Sequence, residues 1–223
     1  MRKLLLIGLL LLSTITGCDS ERLEKAKAIM AQDESAQGIQ IAVLFDNSIS
    51  YKPFIEDTLL QVKGVFQHMA AKYPEAEMSL IMVDTKANII YSGLSKDLQR
   101  AYDDLADRLR NETAKFTNLT DAVNKSLYFL EKGKAHRKLL LIFSDMKHSL
   151  PDYFPQDIEV VPPPPDFPWD GLKGVEVYIF YVPYKEWREW EKVVNGKGAI
   201  ITAKLPEQLK TLKATQIIFK DED

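Results

Sequence analysis

The chain has 223 residues, 46% of them hydrophobic and 27% charged, with a formal net charge of −3. That length allows about one domain behind its leader, and the slight acidity excludes the basic footprint of a nucleic-acid binder. A single cysteine, Cys18, excludes an intramolecular disulfide, so the fold must hold without covalent staples.

Met1-Arg2-Lys3 is followed by an apolar stretch, Leu4 to Leu12, and by the small and polar residues Ser13 to Gly17. A basic start, a short apolar core and a small-residue end predict a secretory signal over residues 1–17, because the stretch is too short to span a bilayer. Ile15-Thr16-Gly17-Cys18 looks like a bacterial lipobox, with Cys18 as the lipid-modified first residue of the mature chain. The acyl chains there, palmitate among them, would anchor the protein stably. Asp19 resembles an inner-membrane retention signal, should the host be Gram-negative; the rest of the chain would face the periplasm or the cell exterior. Cleavage removes Arg2 and Lys3 and no acid, leaving 27 basic against 32 acidic residues, a net of −5. Residues 18–37 read as a polar tether with one helical stretch, Glu21–Ala31.

From Ile39 the pattern changes. Ile39 to Phe45 is a buried strand, and Pro53 opens a long amphipathic helix in which Phe54, Leu59, Val62, Val65, Phe66 and Met69 recur at helical spacing. Pro74 ends it. Met78–Val83 and Ala87–Tyr91 flank a turn too short for a parallel crossover, so they pair antiparallel. Helices at Ser95–Arg110 and Asn118–Lys132, a strand at Lys138–Phe143, a strand at Val175–Val182, a helix at Lys185–Val194, a strand at Ala199–Ala203 and a short helix from Pro206 complete the alternation. Strands alternating with helices predict an α/β fold: a doubly wound, mostly parallel six-stranded sheet with helices on both faces and one antiparallel edge strand. The domain runs over residues 38–223, with a proline-rich insertion at about 151–171.

Directly after the first strand stands Asp46-Asn47-Ser48-Ile49-Ser50, a D-x-S-x-S string. One carboxylate and two hydroxyls on a turn are half of a hard-cation site, and so sparse and hydroxyl-rich a set suits Mg²⁺ or Mn²⁺ better than Ca²⁺ or Zn²⁺. Two further segments supply oxygen ligands: Phe116-Thr117-Asn118-Leu119 at the head of a helix, and Asp145 after the buried strand ending at Phe143.

In these three segments the chain resembles the von Willebrand factor A family, whose metal-ion-dependent adhesion site joins D-x-S-x-S, a Thr in a T-N-L-like loop and an Asp after the fourth strand. The resemblance implies Asp46, Ser48, Ser50, Thr117 and Asp145 as metal ligands and a strand order 3-2-1-4-5-6. The first and fourth strands then meet at the topological switch point, where ligands bind beyond the strand carboxyl ends. It implies direct coordination by Ser48 and Ser50, with Thr117 direct or through water and the two aspartates mostly through water. An open position would remain for a partner's Glu or Asp. The family often has Gly where this chain has Ile49 and Met146.

The function implied is a membrane-anchored lipoprotein, not an enzyme, that binds a protein partner in a metal-dependent way and assembles or scaffolds a cell-envelope complex. The alternative is a metal-independent structural lipoprotein that docks through its proline-rich loop, with Asp46 and Ser48 serving as helix caps. Pro163, Phe167 and Trp169 are the candidate contacts there, since polyproline is extended and low in entropy and aromatics are enriched at interfaces. Tyr153 and Phe154 belong to the same loop. Trp187 and Trp190 are assigned to the core, and His148 to solvent. No G-x-S-x-G, H-E-x-x-H or P-loop string is present.

Overall fold

A computed structural model describes residues 38–151, 161–194 and 200–220, and in it all eight residues of β1 (Ile39–Asp46) are buried. Burial along the whole strand, with an apolar centre from Ile41 to Phe45, belongs to a strand covered on both faces. Its neighbours are β2 (Glu77–Val83) and β4 (Arg137–Phe143), both parallel to it. Beyond β4 lie β5 (Glu176–Phe180) and β6 (Ile200–Lys204), also parallel. On the other side β3 (Asn88–Leu94) pairs antiparallel with β2, giving the order β3-β2-β1-β4-β5-β6. The expected sheet is the observed one.

Strand residues alternate between two apolar layers. Ile41, Val43 and Phe45 face a cluster containing α1 (Ile55–Lys72), α2 (Leu98–Asn111) and α6 (Ala214–Ile218); Ala42 and Leu44 face one containing α3 (Leu119–Lys132) and α4 (Tyr184–Val194). In α1 the buried residues Leu59, Val62, Phe66 and Met69 recur at three- and four-residue intervals, the spacing of one helical face. A short 3₁₀ turn, Lys52–Phe54, leads into it and carries the expected proline. Across the sheet Phe45, Phe143 and Phe180 stack on adjacent strands, with ring centroids 5.8 and 4.9 Å apart.

Departures from expectation are local. β5 ends at Phe180 instead of Val182 because Tyr181 adopts φ 70°, which breaks an extended strand. The helix at Pro206 is a single turn, α5 (Pro206–Leu209), and α6 follows unanticipated. Among the described residues no helix is long and apolar enough to cross a membrane. The signal, Cys18, the tether helix, Tyr153 and Phe154 all lie outside the described residues.

Candidate functional site

Asp46 ends β1 and is wholly buried. Its Oδ1 accepts the Ser48 N–H at 2.8 Å and its Oδ2 accepts the Ser144 hydroxyl at 2.6 Å. The Ser48 and Ser50 hydroxyl oxygens lie 3.2 Å apart. Asp145, two residues beyond β4 and 2% exposed, accepts the Lys147 N–H on Oδ1 at 3.2 Å and a hydrogen bond from the Ser50 side chain. D-x-S-x-S and the fourth strand thus meet across the β1–β4 crevice.

Two carboxylates buried together resist ionisation. Burial, then the like charge of Asp145, pushes Asp46 up from 3.8 to about 7, against the pull of Ser144 and Ser48. Asp145 is raised by burial too, opposed by Ser50 and by the Lys147 backbone and charge. Lys147 is itself paired with Glu186, at 3.6 Å. A divalent cation is the natural counter-charge for such a pair, and the donors suit a hard one: two carboxylates with the hydroxyls Ser48, Ser50 and Thr117. Among the described residues no three His, Cys, Asp or Glu side chains cluster at metal-binding spacing, so a site here depends on the hydroxyls. Both Asp46 oxygens already hold protein donors, which fits a carboxylate acting through water.

Thr117 enters from the loop before α3. It is 1% exposed and forms a two-way backbone bridge with Ser149: the Thr117 N–H donates to the Ser149 carbonyl at 3.0 Å and the Ser149 N–H returns at 2.9 Å. One turn upstream the Ala114 N–H donates to the Asn47 carbonyl at 2.8 Å. The Thr117 loop is therefore pinned to both of the other ligand-bearing segments. Asn118 caps α3, its side chain accepting the Asp121 N–H at 3.0 Å. His148, expected in solvent, is 4% exposed, and its Nδ1 accepts the Leu119 N–H at 3.3 Å. Burial lowers its pKa, consistent with a neutral acceptor ring.

The two positions where the family often has glycine behave differently. Ile49 is an apolar side chain 67% exposed between the two serines. Met146 adopts φ 62°, a left-handed conformation costing a residue with a side chain roughly 1–2 kcal/mol. Its N–H donates to Ser144 Oγ at 2.8 Å, its carbonyl accepts the Trp190 indole N–H at 3.2 Å, and its side chain is buried. The glycine-like turn is kept and its strain is held by neighbours.

Phe167 and Trp169 do not present themselves to a partner. They are 5% and 7% exposed and pack on Trp190, so these two aromatics belong to the core. A 3₁₀ turn, Trp169–Leu172, follows. Pro163 is half-buried. Trp190 is fully buried and Trp187 is packed against the same cluster, as assigned. Ser144, His148 and Trp190 are the site residues that sequence reasoning missed. Ser144, directly before Asp145, was the one legible in principle, as a hydroxyl at the mouth of the same crevice.

No family model and no curated protein matches the sequence. Solved structures share its fold. The pilus adhesin SpaC from Lactobacillus rhamnosus GG superposes at TM-score 0.56 with 9% identity over 82% of this chain and 30% of that one. A mutant of the PilB minor pilin from Streptococcus sanguinis gives 0.54 with 10% identity over 83% and 61%. A von Willebrand factor type A protein from Catenulispora acidiphila gives 0.54 with 12% identity over 78% and 40%. The chain spans less than two thirds of each of these structures. Its fold is von Willebrand factor A-like, with five parallel strands and one antiparallel edge.

Proposed function

We propose that this chain is a lipoprotein, anchored through Cys18, whose von Willebrand factor A-like domain binds a protein partner through a Mg²⁺ or Mn²⁺ site. The observation that carries the reading is the meeting of Asp46, Ser48, Ser50 and Asp145 at the β1–β4 switch point, with Thr117 pinned to the Asp145 loop. Ser48, Ser50 and Thr117 would hold the cation by their hydroxyls, and Asp46 and Asp145 would balance its charge through water. A cation held there would offer a ligand position to an acidic side chain of the partner. Ser144 and the Ser48 N–H orient the Asp46 carboxylate, and the exposed Ile49 lies where the partner would arrive.

The setting is assembly or scaffolding of a cell-envelope complex, at the inner membrane should the host be Gram-negative. Fold neighbours that are a pilus adhesin and a minor pilin support an adhesive, non-enzymatic role. The second reading, docking through the proline-rich loop without metal, is disfavoured by the burial of Phe167 and Trp169. A photo-cross-linking amino acid at position 49 of the full chain in cells separates the two. An adduct lost on chelation and in Asp46→Ala supports the metal face; an adduct indifferent to both removes it. Palmitate labelling abolished by Cys18→Ser tests the anchor.

A further inference from the structure

We propose that Trp190 is the positioning residue of the Asp145 loop, and that the proline-rich segment serves to hold Trp190 in place. Its effect on metal affinity rests on the metal reading above; its effect on the loop does not.

Met146 follows Asp145 directly and sits at φ 62°, a conformation a residue with a Cβ rarely adopts. Something must fix it there. Its N–H is held by Ser144, the residue whose hydroxyl also donates to Asp46. Its carbonyl is held by the indole N–H of Trp190, which lies on α4, 44 positions further along the chain. A fully buried indole requires an acceptor, and here that acceptor is the backbone of the candidate metal loop.

Trp190 in turn is fixed from the other side. Phe167 meets its ring edge-on, with centroids 4.9 Å apart at 80°, and Trp169 does so at 5.7 Å and 70°. Phe167 and Trp169 lie 4.5 Å from each other. The prolines Pro162 to Pro165 lead into this pair, and a polyproline approach costs little entropy to order. Contact therefore runs from Phe167 and Trp169 to Trp190, to Met146, to Asp145. Without the indole N–H, the Met146–Lys147 peptide loses the hydrogen bond that opposes its relaxation. The Lys147 N–H that donates to Asp145 Oδ1 at 3.2 Å then moves with it.

The test uses the full chain in detergent and three variants: Trp190→Phe, which keeps an aromatic ring and deletes the donor; Phe167→Leu, which loosens the brace and keeps the donor; and Val62→Ala, a core lesion on the opposite face of the sheet. Amide hydrogen exchange is read at Met146 and Lys147 against Val43 in β1, and Mg²⁺ affinity by calorimetry. In Trp190→Phe, exchange at 146 and 147 accelerates about tenfold beyond any change at Val43, and Mg²⁺ binds about tenfold more weakly, a typical loss for an outer-shell partner. Phe167→Leu moves both the same way by about threefold, the lower part of the range for one weakened hydrogen bond, and decides the matter if Trp190→Phe does not fold. Val62→Ala changes neither ratio. Loop exchange that tracks Val43 in both site variants overturns the assignment. Accelerated loop exchange in a protein that binds no Mg²⁺ upholds it while removing the metal reading.

Discussion

Mg²⁺ should bind about tenfold more tightly at pH 8 than at pH 6. Asp46, buried beside Asp145, titrates at about 7 in the metal-free protein, and a cation requires it ionised. A group of that pKa is about 9% ionised at pH 6 and about 91% at pH 8, so the apparent dissociation constant falls about tenfold, or about 1.4 kcal/mol. Near pH 7 about half a proton should leave Asp46 per cation bound. The metal-free fold should respond in the opposite sense. The folded pKa lies above the unfolded value of 3.8, so the stability this group contributes is full below about pH 4 and is lost as pH rises through 7. The difference caps that contribution at about 4 kcal/mol, and part of it belongs to Asp145. The assay is calorimetry at pH 6, 7 and 8 in two buffers of different protonation enthalpy, with thermal melts alongside. Affinity constant within twofold across that range, with no buffer-dependent heat, would refute the coupling of metal to the buried acids.

Asp46→Asn removes the buried charge but keeps an acceptor for the Ser48 N–H, so its metal-free melting temperature at pH 8 should equal or exceed that of the parent while Mg²⁺ no longer raises it; thermal melts with and without Mg²⁺ decide. His148→Ala should cost about 1–3 kcal/mol in chemical denaturation, because the Leu119 N–H loses its buried acceptor. A Cβ added at Gly133 would run into the Gln40 side-chain amide. Gln40 is 1% exposed, with its Nε2 bonded to the Phe129 carbonyl, so Gly133→Ala should destabilise by about 1–3 kcal/mol, the range for overpacking a close-packed site.

The sheet was legible because its information is local and redundant. β1 from Ile41 to Phe45 and β4 from Leu139 to Phe143 are apolar without interruption, as strands covered on both faces are, and the four-residue link from β2 to β3 leaves antiparallel pairing as the available geometry. The meeting of the candidate residues was legible because Asp46, Ser48 and Ser50 alternate along one turn and Asp145 follows a strand end. What escaped sequence reasoning is long-range. Nothing at Trp190 announces that its N–H reaches Met146, 44 residues away, and nothing at His148 announces Leu119. The proline-rich segment misled for a related reason. Aromatics beside prolines suit an interface or an internal brace equally, and the third aromatic that buries Phe167 and Trp169 lies far along the chain. Met146 shows the same limit at a single residue: the family often has glycine there, and here a methionine holds a left-handed turn through tertiary contacts.

Titration of Mg²⁺ and Mn²⁺ into the full chain in detergent at pH 8, beside Asp46→Ala, tests the metal site most directly. Saturable binding by the parent that Asp46→Ala abolishes is the predicted result. Equal binding by both forms, or none by the parent, would contradict a cation site built on the β1–β4 crevice.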